Sequence, residues 1–330
     1  MSGRVLVAGA INTDLVATVH RAPEAGETIT GRSFAIHSGG KGANQAVAVA
    51  RSRASAVMLG GVGRDDFGSA RKADLAADQI DTSWIATIDY ASSGVALITV
   101  ESSGENRIAY IPGATAKVSP DHCADTLNAI EPSLILSTNE LSPECHRVLF
   151  TWARGRDVRV IFNAAPYSDD VVELLPLIDV LIVNEGEASA LQGGAPDGMS
   201  PQELAAGLRS IGATDVVITL GAGGSFAVSD DEPLTVPGYR VDVVDTTGAG
   251  DTFCGALASR MLEGATLPEA VRYANAAGAL ATTRSGAQPS IPGREEIEKL
   301  MEQGKKLPWG SPQGGHGLRR KGRDSNPREV

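Results

Sequence analysis

Three cysteines in 330 residues, Cys123, Cys145 and Cys254, are too few, too scattered and too odd in number for a disulfide framework or a zinc motif. They suit a reducing compartment, so a cytoplasmic protein is the expectation. Aromatic residues make up 4% of the chain, which leaves little surface on which bases could stack. No apolar run approaches the roughly 18 residues that a membrane-spanning helix requires. The opening stretch to Leu15 has a short apolar core interrupted by Asn12 and Asp14, and reads as a buried strand rather than a secretory leader. Positive charge is scarce in the body. The formal charge is −11, and residues 305–330 hold seven basic side chains against two acidic ones, so the remainder is near −16. A body this acidic excludes nucleic acid as the main partner.

Common site signatures are missing too. The five histidines (His20, His37, His122, His146, His316) show no ligand spacing, and no nucleophile elbow is present. Neither Gly248-Ala249-Gly250-Asp251-Thr252-Phe253 nor Gly221-Ala222-Gly223-Gly224-Ser225-Phe226 supplies the third glycine of a dinucleotide fingerprint. Lys41 follows Gly40, but Gly42 stands where a P-loop needs Ser or Thr, and Ala35 replaces its first glycine. These failures make a nicotinamide-dependent oxidoreductase improbable.

What is present is glycine, 38 residues of it, and a steady alternation of short β-branched runs with Ala-rich stretches. Strands are expected at 4–10, 55–61, 133–137, 158–162, 180–183 and 215–220, and helices at about 43–53, 66–77, 143–154, 201–211, 250–262 and 268–283. Runs such as VLVAGA and DVVITL are apolar on both faces, as parallel strands covered by helices must be. The expectation is an α/β fold with a layered, mostly parallel sheet flanked by helices. Residues 14–36 and 94–111 instead alternate apolar with polar, which predicts a small antiparallel β-lid. Residues 1–303 read as one domain. Residues 304–330, rich in Gly, Pro and Arg, read as a disordered basic tail, with weak anion binding as the other reading.

Four segments carry chemistry. Asp245-Thr246-Thr247-Gly248-Ala249-Gly250-Asp251 runs directly into a helical stretch. Unpaired amides and about half a positive charge at such an entry favour an anion. A carboxylate there is either an ordinary N-cap or a base beside a bound phosphate. Ser38-Gly39-Gly40-Lys41-Gly42-Ala43-Asn44-Gln45 lets a polar ligand approach the backbone closely while Lys and Asn reach its hydroxyls. Asn12-Thr13-Asp14 stands at a strand's carboxyl end, where ligands of open α/β sheets bind. Asn184-Glu185-Gly186-Glu187 suits a hydrated Mg²⁺, or is simply an acidic helix start.

The GGKGANQA run at 39–46, GVGRDDFG at 61–68 and DTTGAGDTF at 245–253, in that order, resemble the ribokinase family of carbohydrate kinases. The resemblance covers about residues 4–300. It implies a Rossmann-like α/β domain with a β-lid, a kinase that uses ATP with Mg²⁺ and is activated by K⁺, and a homodimer formed through the lid. Carried over by position, Asn12, Thr13, Asp14, Gly40, Lys41, Gly42, Ala43, Asn44 and Glu140 would hold the sugar. Asp251 would be the base, with Gly248, Ala249 and Gly250 as the anion hole. Asn184, Thr219, Leu220, Gly221, Ala222, Gly223, Gly224, Gly250 and Asn275 would line the ATP site, with Glu187 near Mg²⁺ through water. Asp245, Thr247, Ala281, Arg284, Gly286 and Ser290 would surround K⁺. The polar sets favour a small neutral polyol, so D-ribose phosphorylated at its 5-hydroxyl leads over 2-deoxyribose, fructose, a keto-deoxy sugar acid or a nucleoside. A sugar sensor without catalysis is the rival from another class.

Overall fold

The computed structural model describes residues 3–307 except Ala195, Asp197 and Asp231. Its strands are β1 (Arg4–Ala8), β2 (Asn12–Thr18), β3 (Ser33–Gly39), β4 (Ser55–Gly63), β5 (Ile85–Ile88), β6 (Gly94–Val100), β7 (Asn106–Ile111), β8 (Leu134–Thr138), β9 (Arg159–Asn163), β10 (Val180–Asn184), β11 (Asp215–Thr219), β12 (Gly224–Ser229) and β13 (Glu232–Pro237). The helices are α1 (Lys41–Arg51), α2 (Asp66–Ala77), α3 (Pro120–Ile130), α4 (Pro143–Arg154), α5 (Val171–Leu174), α6 (Glu185–Ala190), α7 (Pro201–Ser210), α8 (Ala249–Leu262), α9 (Leu267–Ala281) and α10 (Arg294–Gln303).

Nine strands form the main sheet in the order β13-β12-β11-β10-β9-β8-β1-β4-β5, parallel throughout except for the edge hairpin β12–β13. Side chains alternate across β1. Val5 and Val7 join the apolar layer built from α1, α8 and α9, while Leu6 and Ala8 join that of α3, α4 and α7. Both faces are therefore buried, which is why these strands are apolar without a break. The winding reverses between β1 and β8, since β4 and β5 extend one way and β8 to β11 the other. The carboxyl ends of strands at such a switch point leave a crevice for ligands.

The lid is a second sheet of order β3-β2-β6-β7. Its two outer pairings are antiparallel, and its central pair, β2 with β6, is parallel, because the two hairpins leave the main sheet side by side in one direction.

Several elements differ from the sequence expectation. β1 ends at Ala8, two residues early, and α3 and α10 form where no helix is expected. Ser119 caps α3 by accepting from the His122 amide, Pro120 opens the helix, and Cys123, Thr126, Leu127 and Ile130 form its buried stripe at helical spacing. The start of the presumed tail is ordered. The Arg240 amide donates to the Lys305 carbonyl at 2.8 Å and the Leu307 amide to that of Gly238 at 2.7 Å. The remainder of the expected tail, 308–330, lies outside the described residues.

Candidate active site

The GGKGAN run sits where β3 turns into α1. Gly40 adopts φ +93°, and a side chain there would strike the Ala10 carbonyl oxygen at 2.5 Å. A Cβ on Gly42 would come within 2.6 Å of the Gly9 carbonyl carbon. Glycine at these positions lets α1 begin directly on the end of β1. Glu140, just past β8, fastens that junction. It accepts hydrogen bonds from the Ala10 amide at 2.8 Å, the Gly42 amide at 3.1 Å, the Lys41 amide at 3.3 Å and the Thr138 hydroxyl at 2.8 Å. Burial nevertheless lifts its carboxyl above the ordinary value, offset in part by these donors and Lys41.

Asp251 lies in the first turn of α8, behind Gly248 in the left-handed conformation at φ +75°. Its carboxylate is 8% exposed. Asn44 Nδ2 donates to one oxygen at 2.9 Å and Gln45 Nε2 to the other at 3.2 Å. Burial raises the pKa of Asp251, with Lys41, Asn44 and Gln45 working against the rise. Lys41 is the electrostatic centre of the group. Burial disfavours its charge, but Asp251, Glu140 and Glu187 outweigh that and hold the ammonium above its ordinary value. Space beside Gly250 is open, with no atom within 4 Å of where a Cβ would stand. Of the amides at this helix start, that of Ala249 donates to the Thr246 carbonyl at 3.2 Å.

The lid supplies the other wall. Asn12, Asp14 and Tyr110 fall on one face of it by register. The buried oxygens Asn12 Oδ1 and Asn44 Oδ1 have no hydrogen-bond partner among the described residues. Burial raises the pKa of Asp14 against the pull of His37 and Arg71, and pushes the Tyr110 hydroxyl up to about 12. Thr13 is fully buried, and its hydroxyl accepts from Arg71 Nη1 at 3.2 Å. Within the GVGRDDFG run, Asp65 caps α2 through the Gly68 amide at 2.8 Å. It also binds Ser93 through the amide at 2.8 Å and the hydroxyl at 2.6 Å. This run therefore anchors the start of β6, against which Asn12 pairs at Gly94.

The nucleotide-side residues are more dispersed. Asn184 and Glu187 form a reciprocal capping box on α6, with bonds of 2.8 and 2.9 Å, so the Asn184 side-chain oxygen is engaged as a cap. Glu187 still feels Lys41 and Asp251, and its carboxyl is raised by burial. Thr219 ends β11, and Leu220 to Gly224 make a tight turn, with Gly221 at φ +54° and Gly224 at φ +96°, that opens the β12–β13 hairpin. Asn275 directs its Nδ2 to the carbonyls of Pro237 at 2.9 Å and Val236 at 3.3 Å, which ties α9 to the hairpin.

Asp245 joins the two segments expected to surround a cation. One oxygen accepts from the Thr247 amide and hydroxyl at 2.9 and 2.7 Å, and the other from the Gly286 amide at 2.8 Å. Burial pushes this carboxyl up, but the Gly286 and Thr247 donors outweigh it and hold it below its ordinary value. Ala281 and Ser290 are fully buried nearby in the chain, and the Arg284 side chain turns to Glu296. Thr138, Asn163 and Tyr110 are site residues outside the motifs, and Gln45, inside the GGKGANQA run, was assigned no role by it. Thr138 and Asn163 carried a readable signal, a polar residue ending a strand on the crevice side.

The family model for pfkB family carbohydrate kinases matches residues 2–294. A ribokinase of Haemophilus influenzae is 36% identical over 304 residues, covering 92% of this chain and 99% of its own. Among solved structures, the ribokinase of Thermotoga maritima is similar with a TM-score of 0.83 at 32% identity, covering 91% of this chain and 99% of its own. An Arabidopsis thaliana ribokinase complexed with ribose and ATP gives 0.83 at 29% identity, covering 92% and 99%. With the glycine-built junction, the capped carboxylate and the lid assembled as described, the chain belongs to the pfkB family of carbohydrate kinases.

Proposed function

We propose that the protein transfers the γ-phosphoryl group of ATP to the 5-hydroxyl of D-ribose. The observation that carries this reading is the placement of Asp251. It is a buried carboxylate at a helix N-terminus, the position that best binds an anion, and amides from the sugar-side helix grip it. Burial makes its negative charge costly, so the group is ready to take up a proton. As the ribose O5 attacks the γ-phosphorus, its proton passes to Asp251, and the bond from phosphorus to the β,γ-bridging oxygen breaks. The amides of Gly248, Ala249 and Gly250 face the charge that spreads over the transferring oxygens. Asn12 Oδ1 and Asn44 Oδ1, buried acceptors without partners, match the O–H donors of a polyol. The Arabidopsis relative's complex with ribose and ATP supports the same substrate pair.

Mg²⁺, when bound, neutralises the β- and γ-phosphates. Among the described residues no group of three or more His, Cys, Asp or Glu could hold a metal directly, which fits an ion carried mainly by phosphate and water with Glu187 in its outer shell. Asp245, Thr247 and backbone carbonyls at Ala281, Arg284, Gly286 and Ser290 would hold K⁺. The Asp245 bridge to Gly286 draws those segments together. A second copy of the chain would cover the lid, whose outer face presents Phe34, Ile36 and Leu97 at 63%, 51% and 47% exposure, and its mass in solution tests this.

Coupled ADP release across D-ribose, 2-deoxyribose, fructose and adenosine, each with and without K⁺, decides the main reading. Ribose-selective turnover raised by K⁺ is expected. Selective turnover of another sugar overturns the substrate, and ribose binding without turnover overturns the kinase.

A further inference from the structure

We infer that Gln45 and Asn163 form a polarised side-chain relay that holds Asp251 as a proton acceptor. This rests on the reading of Asp251 as the base. The relay begins at a backbone group whose polarity cannot change. The Ile182 carbonyl of β10 accepts from Asn163 Nδ2 at 3.2 Å. The Asn163 amide is thereby oriented, and its Oδ1 faces α1, where it accepts from Gln45 Nε2 at 3.1 Å. Nε2 carries two hydrogens, and the second goes to Asp251 Oδ1 at 3.2 Å. Gln45 is fully buried and Asn163 is 8% exposed, so water does not compete for these bonds.

The consequence is directional. Were the Gln45 amide turned over, its oxygen would face the carboxylate and repel it. With Ile182 fixing Asn163, and Asn163 fixing Gln45, only the donor edge meets Asp251. Asn44 donates to the opposite carboxylate oxygen, so the carboxylate plane is held from both sides. One in-plane lone pair per oxygen stays available for the incoming proton. Gln45 and Asn163 are thus positioning residues that act through Asp251.

Their loss removes a bond to the ionised base, so it moves the acid limb of turnover to higher pH. The other charges that bear on Asp251 are Lys41 of α1, Asp14 of β2, Glu140 after β8 and Glu187 of α6, while the Cys254 thiol, three residues further along α8, is kept neutral by burial. None of them is altered by the variants below.

The test compares Gln45→Met, Asn163→Leu and the double variant, with Asp251→Asn alongside, by kcat, KM for ribose and the pH profile of kcat. For Gln45→Met the expected result is kcat lower by about tenfold, the loss of one hydrogen bond to a charged group. KM should stay nearly constant and the acid limb should move up. Asn163→Leu should show the same changes, smaller, and the double variant should be no worse than Gln45→Met, because both break one chain. Additive losses, or an acid limb that does not move, overturn the relay. If Gln45→Met does not fold, Asn163→Leu alone decides by its acid limb. Full turnover in Asp251→Asn would instead overturn the base reading itself, whatever the other variants do.

Discussion

The amide of Asn44 meets the carboxylate of Asp251 at 2.9 Å, linking residues 207 apart in the chain. Asn44 stands in the first turn of α1 and Asp251 in the first turn of α8, so one hydrogen bond joins the sugar-side loop to the anion-binding helix. The two helices pack along their length, with Gly255 of α8 against Gln45 and Ala48 of α1. The acceptor hydroxyl and the phosphoryl group are therefore presented by two ends of a single packed unit.

Asp251→Asn is expected to keep the fold and ATP binding while lowering kcat by roughly 10²–10⁴, the usual worth of a general base. The substitution keeps the shape of the side chain but sets its Nδ2 against the Asn44 or Gln45 amide, so some loss of melting temperature is expected while KM for ribose changes little. Steady-state kinetics on the purified variant, with melting as the control for folding, check this. A kcat within tenfold of the parent would remove Asp251 from the mechanism.

The two glycine-rich runs were readable because each does its work within a few consecutive residues. Gly40 and Gly42 clear the end of β1, and Gly248 starts α8 at positive φ. The parallel core was readable for a similar reason, since strands covered on both faces stay apolar end to end. Gln45 and Asn163 were not singled out because their meaning lies in each other and in Asp251, 118 and 206 residues from Gln45. Asn184 and Glu187 show the reverse case. Their spacing fits an N-cap and its third helical residue, and the box they form is local whether or not a nucleotide is near. The parallel pairing at the centre of the lid had no sequence signal, because alternation reports wet and dry faces but not strand direction.

Glu140→Gln should weaken ribose binding and the fold together. Two of the four donors that reach Glu140 converge with the Thr138 hydroxyl on Oε2, while the Lys41 amide reaches Oε1. An amide nitrogen in place of either oxygen would confront a donor. Leaving a buried donor unmatched costs on the order of 1–3 kcal/mol. A lower melting temperature with KM for ribose raised more than tenfold is expected. A changed kcat with unchanged KM and melting would show that Glu140 does not set the loop.

Turnover should fail on acidification earlier than an ordinary aspartate would dictate. Burial lifts the pKa of Asp251, so protonation begins at higher pH in the folded protein, and kcat declines as pH drops through that raised value. Stability runs the other way. Between the unfolded and the raised value this carboxyl binds more protons when folded, so its contribution to stability grows as pH falls through that window. The melting temperature of the parent should therefore rise relative to that of Asp251→Asn on acidification. A difference independent of pH would show that Asp251 is not perturbed by burial.

Gly255→Ala tests whether the packing of α1 on α8 holds the two ends of the site together. An added Cβ would stand 2.4 Å from the Gln45 carbonyl oxygen and 2.5 Å from the Ala48 Cβ, distances at which the backbone must move. Overpacking of this kind costs roughly 1–3 kcal/mol. Gly255 lies one helical turn beyond Asp251 and touches no residue proposed to contact sugar or phosphate other than through α1. If α8 is displaced, Asp251 withdraws from both Asn44 and Gln45, and kcat should fall at a temperature where the variant is still folded. Loss of melting temperature with full kcat would mean that the helices separate without moving the base, and that the site is held from the loops instead.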